Sequence, residues 1–247
     1  MSTLSPCWVP LISPTRVAIG VAKYHQRRVN VSSARYQLRR VRRAIVRQRR
    51  DMRKSVHAPL HPEVLARYLA GTAIRWSITG MWAYNEFAGC QLREPHDLDV
   101  QIAREDVSGI LDAMPSWQHF YVDCGAWFRW RGQPLADGIQ RLVSRPNRRE
   151  PWGVDWLLTI IDGDEWVYRY DARVRTLFRD AKGFNDSPIP FTPPEVGMLY
   201  KSRQLREKDT ADFSAFLPYL DDARRAWLAD AIVLSDPQHP WLPQLRS

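Results

Sequence analysis

The 247-residue sequence predicts an α+β fold: a mixed sheet with flanking helices, followed by a helical C-terminal subdomain. Three observations predict it. Strand-like and helix-like segments alternate from about residue 60 to 190. Past Pro193 the apolar spacing is helical only. The first 59 residues share neither texture, so the expected organisation is an extension over 1–59, an α+β domain over 60–190 and a helical part over 191–247.

The elements follow in order. His61–Leu69 reads as a helix, with Pro62 near its first turn and apolar residues at 64, 65, 68 and 69. Trp76–Thr79 reads as a short strand that stops at Gly80, and a helix follows from Trp82 to about Ala88. His96–Ala103 is a second strand and Arg104–Met114 a helix. Further strands are expected at His119–Val122, Ala126–Trp130, Ile139–Val143 and Val154–Ile161. Asp162-Gly163-Asp164 reads as a hairpin tip leading into Glu165–Arg169. Helices are expected at Pro194–Arg206, Lys208–Leu217 and Ala223–Val233.

Composition narrows the class. Hydrophobic residues at 45% and charged residues at 26% suit a globular protein in water. Cys7, Cys90 and Cys124 are too few and scattered for a disulfide framework or a zinc site, which points to reduced thiols in a cytoplasm. No apolar run approaches the roughly 20 residues of a membrane span, and the apolar stretch at 17–22 lacks the flanks of a secretory signal.

The net charge of +9 is unevenly placed. Residues 1–56 hold 14 Lys and Arg against Asp51 alone, a charge of +13, while residues 57–247 hold 22 bases and 26 acids, a charge of −4. The densest stretch, 36–54, carries Leu38, Val41 and Ile45 at helical spacing. Three readings of it stay open. It grips RNA or anionic lipid through phosphates, it resembles a transit leader, or it is an unfolded extension with Met52 as a later start. An acidic body by itself suits a cationic small molecule, and a basic arm suits RNA.

His96-Asp97-Leu98-Asp99-Val100-Gln101-Ile102-Ala103 is the most informative segment. Alternation along a strand puts Leu98, Val100 and Ile102 on the core face and Asp97, Asp99 and Gln101 on the other. Carboxylates at i and i+2, roughly 7 Å apart at the backbone, can converge on one cation or on two. An amphipathic strand with a wet acidic face gives the same string. His96 falls on the face opposite Asp97 and is expected to support backbone rather than catalyse.

Upstream, Trp76-Ser77-Ile78-Thr79-Gly80-Met81-Trp82-Ala83 makes a strand, a glycine turn and a helix start, whose amides suit phosphate oxygens. With Gly89, Arg93 and His96-Asp97-Leu98-Asp99, this turn resembles the nucleotidyltransferase superfamily that includes DNA polymerase beta. The narrower likeness is to aminoglycoside nucleotidyltransferases, marked by the Trp-Ala after the glycine and the His before the acids. The resemblance covers about residues 62–242. It implies a nucleotidyltransferase-like fold and transfer of a nucleoside monophosphate from a triphosphate, expected to be ATP, to the hydroxyl of a small, aminoglycoside-like acceptor. Asp97 and Asp99 would hold Mg²⁺ or Mn²⁺, with Gly80 and Met81 at the nucleotide phosphates. Met81 departs from the family's Gly or Ser there, and Asn85 stands where relatives often carry Asp.

The family's third acid sits on a later strand, and Asp155, set between Val154 and Trp156-Leu157-Leu158, is the candidate metal ligand or base. A lone buried carboxylate is costly, so the alternatives are an ion pair with Arg141 or Arg145, or exposure at a sheet edge. Pro194–Lys201 with Arg206–Asp209 resembles a helical segment in which a lysine faces the phosphates. Lys201 and Lys208, seven apart, would share one face of an unbroken helix. Asp209 would cap the next helix or orient a lysine. The rival reading is a non-catalytic or RNA-directed protein on the same fold, using residues 36–54 as its RNA grip. Eleven tryptophans are expected mainly in the core, with a few near the cleft for stacking.

Overall fold

The computed structural model describes residues 58–123, 126–179 and 187–247. These all lie in one unit, Arg47–Ser247. The basic stretch 36–54 and the three readings attached to it lie outside the described residues.

Helix α1 (Pro62–Leu69) starts at a proline, whose missing N–H costs nothing in a first turn, and buries Leu65 and Leu69. Strand β1 (Trp76–Thr79) runs into Gly80 and then helix α2 (Met81–Ala88), which ends at Gly89 in the left-handed conformation. Strand β2 (Asp99–Ala103) leads to a short 3₁₀ turn and helix α3 (Gly109–Ala113). Strands β3 (Gln118–Asp123), β4 (Ala126–Trp130), β5 (Arg141–Arg145) and β6 (Val154–Asp162) follow. Strands β7 (Glu165–Val167) and β8 (Arg175–Leu177) complete the sheet. Helices α4 (Pro194–Ser202), α5 (Glu207–Phe216), α6 (Asp222–Ser235) and α7 (Leu242–Leu245) form the C-terminal part.

The sheet order is β1-β2-β6-β5-β3-β4, with β7 on β6 and β8 on β7. Among the named strand pairs of the described residues β2–β6 alone is parallel, and its register sets Asp99 opposite Asp155 and Gln101 opposite Leu157. Alternation then separates two faces. Val100, Ile102, Leu142, Val154, Trp156 and Leu158 pack against Leu65, Leu69 and Ile110 of α1 and α3. Each fully buried side chain of this size is worth about 1.5–3 kcal/mol. The other face carries Asp99, Gln101, Asp155, Leu157 and Thr159. A second core joins Met81, Tyr84, Ile161 and Trp166 to Val196, Leu199, Phe213, Phe216, Leu228 and Trp241, with Phe213 and Trp241 stacked at 4.1 Å. The C-terminal helices therefore share a core with the sheet rather than packing only on themselves.

Three expectations need correction. The second strand begins at Asp99, leaving His96 exposed and Asp97 in a bend, because its antiparallel partner β1 ends at Thr79, opposite Asp99. The helix expected over 104–114 is a 3₁₀ turn plus a short helix. The helix expected over 194–206 ends at Ser202, and Leu205, with φ 46°, turns the chain before α5. The expected hairpin tip is present, with Gly163 at φ 60°. Strand β8 and helix α7 were not foreseen.

Candidate active site

A cavity of about 300 Å³ lies between the β1–α2 turn, the cleft side of β2 and β6, and the α4–α5 junction. Gly80, Met81, Asp97, Asp99, Lys201 and Lys208 all line it. Six of the seven residues expected from the sequence therefore meet at one place, and the seventh, Asp155, is the register neighbour of Asp99.

Gly80 is built for its position. Its φ of 70° and ψ of −148° fall in a region essentially reserved for glycine. A Cβ there would stand 2.8 Å from Asp99 Oδ2, so only a bare backbone can approach the carboxylate this closely. The same residue is the N-cap of α2 and offers no side chain to cap it. The positive end of the α2 dipole thus lies at the cavity wall. Met81 is only 8% exposed and belongs to the core shared with the C-terminal helices. Its side chain packs into that core, while its amide stays in the turn.

Asp99 is the strained acid of the site. Burial pushes its carboxyl well above the usual range, and Asp155 and Asp97 add repulsion; Arg141 and Lys201 offset part of this. Asp155, 5% exposed, is held by Arg141, whose Nε donates to Oδ1 at 2.6 Å and whose second nitrogen donates to Oδ2. The ion-pair alternative with Arg141 therefore describes Asp155 as it stands. Arg145 goes elsewhere, 4.4 Å above the Trp152 ring. Arg141 thus takes one acceptor site on each Asp155 oxygen, while the β2–β6 register keeps Asp155 beside Asp99. Among the described residues, no group of three or more His, Cys, Asp or Glu is placed to hold a metal ion.

Lys201 is fixed by acids from the next helix. Its Nζ donates to Asp212 at 2.7 Å and to Asp209 at 3.4 Å. Arg206 closes on Asp209, and Arg93 reaches Asp212 from the loop before β2. Burial would raise both carboxyls, but these cations hold them below the usual range. Asp209 thus orients Lys201, one of its two expected roles. Lys208 is exposed at the rim. The broken helix denies the two lysines a common helical face, yet the turn still brings both to the cavity. Arg93, Arg169 and Arg206 also line it, so its walls are cationic although the body is acidic overall.

Two lining residues to which the sequence assigned no role carry orphaned polar atoms. Tyr84 Oη and Gln101 Nε2 are buried donors with no hydrogen-bond partner. Tyr84 follows Gly80 by one helical turn, a spacing that could have flagged it; Gln101 gave no signal beyond its strand face. Among the described residues no tryptophan lines the cavity; Tyr84, Tyr170 and Tyr200 do. The expected stacking tryptophans lie elsewhere, with Trp130, Trp156, Trp166 and Trp241 fully buried.

Fold and site define an α+β protein with a mixed sheet and a glycine turn set against an acid pair in a cationic cleft. No family model matches the sequence, and no curated protein matches it. Among solved structures, the chain is similar to the lincosamide antibiotic adenylyltransferase LnuA in its lincomycin-bound form, at 14% identity and a TM-score of 0.46, over 66% of this chain and 100% of that one. It is similar to the antibiotic-resistance factor ANT(2'')-Ia at 9% identity and a TM-score of 0.46, over 75% and 94%. A third is an antigenic nucleotidyltransferase-like protein from Paracoccidioides brasiliensis, at 17% identity and a TM-score of 0.39, over 76% and 94%. No helix among the described residues is long and apolar enough to cross a membrane.

Proposed function

We propose that the protein transfers a nucleoside monophosphate from a nucleoside triphosphate, ATP by preference, to a hydroxyl of a small-molecule acceptor. The observation that carries this reading is the convergence of Asp97, Asp99, the Gly80 turn and Lys201 on one cavity.

The donor set suits a hard divalent cation such as Mg²⁺ or Mn²⁺, held by Asp97 and Asp99 with phosphate and water oxygens completing its shell. When bound, that cation would supply neutralisation of phosphate charge and relieve the repulsion that burdens Asp99. The chain's own groups do the rest. The α2 amides beside Gly80 and the Lys201 ammonium would receive phosphate oxygens. Lys208 and Arg206 would steady the triphosphate at the rim. Tyr84 Oη and Gln101 Nε2, lacking protein partners, would donate to the nucleotide. Asp155, held beside Asp99 by Arg141, would accept the acceptor hydroxyl's proton on a lone pair that Arg141 leaves open.

The test is direct. Purified protein with Mg²⁺, each labelled triphosphate and a panel of aminoglycosides, other hydroxylic metabolites and total RNA should label a small acceptor and release pyrophosphate. Label confined to RNA would replace the acceptor by a strand end. No label on any acceptor would remove the enzyme reading.

A further inference from the structure

The cleft side of the sheet continues past Asp155 onto β5, β3 and β4, and its character changes there. In register order it carries Val143 beside Asp155, then Phe120, then Arg129, with Arg145 one step along β5. The core made with the C-terminal helices includes no residue of these three strands. Arg129 and Arg145 approach the Phe120 ring at 5.3 and 5.7 Å, and Arg145 lies 4.4 Å from the Trp152 ring, so aromatic faces hold the guanidinium groups in place. Arg131 and Arg148 are exposed beside them.

These arginines lack neutralising partners. No carboxylate among the described residues pairs with Arg129, Arg131, Arg145 or Arg148. Arg129 and Arg145 are held below the usual arginine range, first by burial and then by neighbouring arginines: Arg131 for the one, Arg129 and Arg148 for the other. Four like charges gathered in a body of net charge −4 cost free energy that a polyanion would return. Leu60 donates to the Gly153 carbonyl at 2.9 Å, so the described chain begins beside this patch.

We propose that this open end of the sheet, with Arg129, Arg131, Arg145 and Arg148 around Phe120, binds the phosphates of a single-stranded polynucleotide. Ring-anchored guanidinium groups on a sheet suit a strand whose phosphates take charge-assisted hydrogen bonds and whose bases stack on guanidinium planes. At about 4.8 Å per strand step, β4 lies on the order of 19 Å from Asp99, on the same face of the sheet. The inference concerns binding and stands whether or not the cleft transfers a nucleotide.

The experiment uses the full chain and a fluorescein-labelled single-stranded RNA of about 12 nucleotides, with affinity followed by anisotropy across salt concentrations. Wild type should bind, and Arg129→Gln with Arg145→Gln should weaken binding at least about tenfold. The log–log salt slope should become shallower by about 0.7 for each phosphate contact removed. Asp97→Asn should bind RNA as wild type does, which separates this surface from the transfer reading. A double variant that stays folded and binds with unchanged affinity and salt slope would overturn the proposal, as would binding of duplex DNA or heparin as tight as that of the single strand.

Discussion

The two ends of the sheet's cleft side use charge in opposite ways. At the β1–β2–β6 end, carboxylates lie at the floor, and the C-terminal helices bring Lys201 into reach of Asp209 and Asp212. Arg141 and Lys201 offset part of the repulsion around Asp99. At the β5–β3–β4 end, arginines rest on rings with no acid among them. The difference teaches where charge is structural and where it is available. A neutralised cluster costs stability when one partner is removed, whereas an unneutralised cluster costs little to dilute.

The largest expected stability effect is at the neutralised end. Lys201→Met leaves Asp209 and Asp212, with side chains 0% and 6% exposed, short of a cation and should destabilise by about 3 kcal/mol in denaturant titration. A loss under about 0.5 kcal/mol would show that Arg206 and Arg93 suffice and that the network is looser than drawn.

A buried histidine gives the open end its own pH signature on the opposite, core face. His119 lies between Ser144 Oγ at 2.7 Å and the Met114 carbonyl at 3.3 Å, and burial pushes its pKa down to about 4. A folded value below the unfolded value of about 6.5 means that the unfolded chain binds the proton first. Stability should therefore be fully present above about pH 6.5 and fall as pH drops toward 4, by roughly 3 kcal/mol in all. His119→Phe should remove that slope in thermal melts between these values. An unchanged slope would place the acid sensitivity in the carboxylate network instead.

Gly80→Ala should cost about 2 kcal/mol, from its backbone conformation and the contact with Asp99 Oδ2, and should weaken nucleotide binding with it. An unaffected melt would mean that the turn can relax away from Asp99. The smallest effect is expected at the open end, where Arg145→Gln should shift stability by less than about 0.5 kcal/mol.

Local spacing made much of the cleft legible in the sequence. Gly80 stands at a strand–helix junction, Asp97 and Asp99 share a short acidic segment, and Asp155 is conspicuous as an acid in an apolar strand. Its neighbourhood with Asp99 follows from parallel pairing of β2 with β6, which the sequence could suggest but not register. The hold of Arg141 on Asp155 depends on the β5–β6 register, and the grip of Asp212 on Lys201 depends on a turn at Leu205, a residue that carries no turn signal. The arginine patch was invisible for a similar reason. Arg129 and Arg145 are 16 positions apart and meet only because β3 lies between their strands.

The central claim is that Asp97 and Asp99 present a divalent cation to a nucleoside triphosphate. Isothermal titration of a non-hydrolysable ATP analogue, with and without Mn²⁺, into wild type, Asp97→Asn and Asp99→Asn tests it most directly. Wild type should bind the analogue only with Mn²⁺ present, and each variant should lose that metal-dependent binding by at least about tenfold while keeping its cooperative melt. Equal affinity with and without Mn²⁺, or full Mn²⁺-dependent binding by Asp99→Asn, would contradict the account.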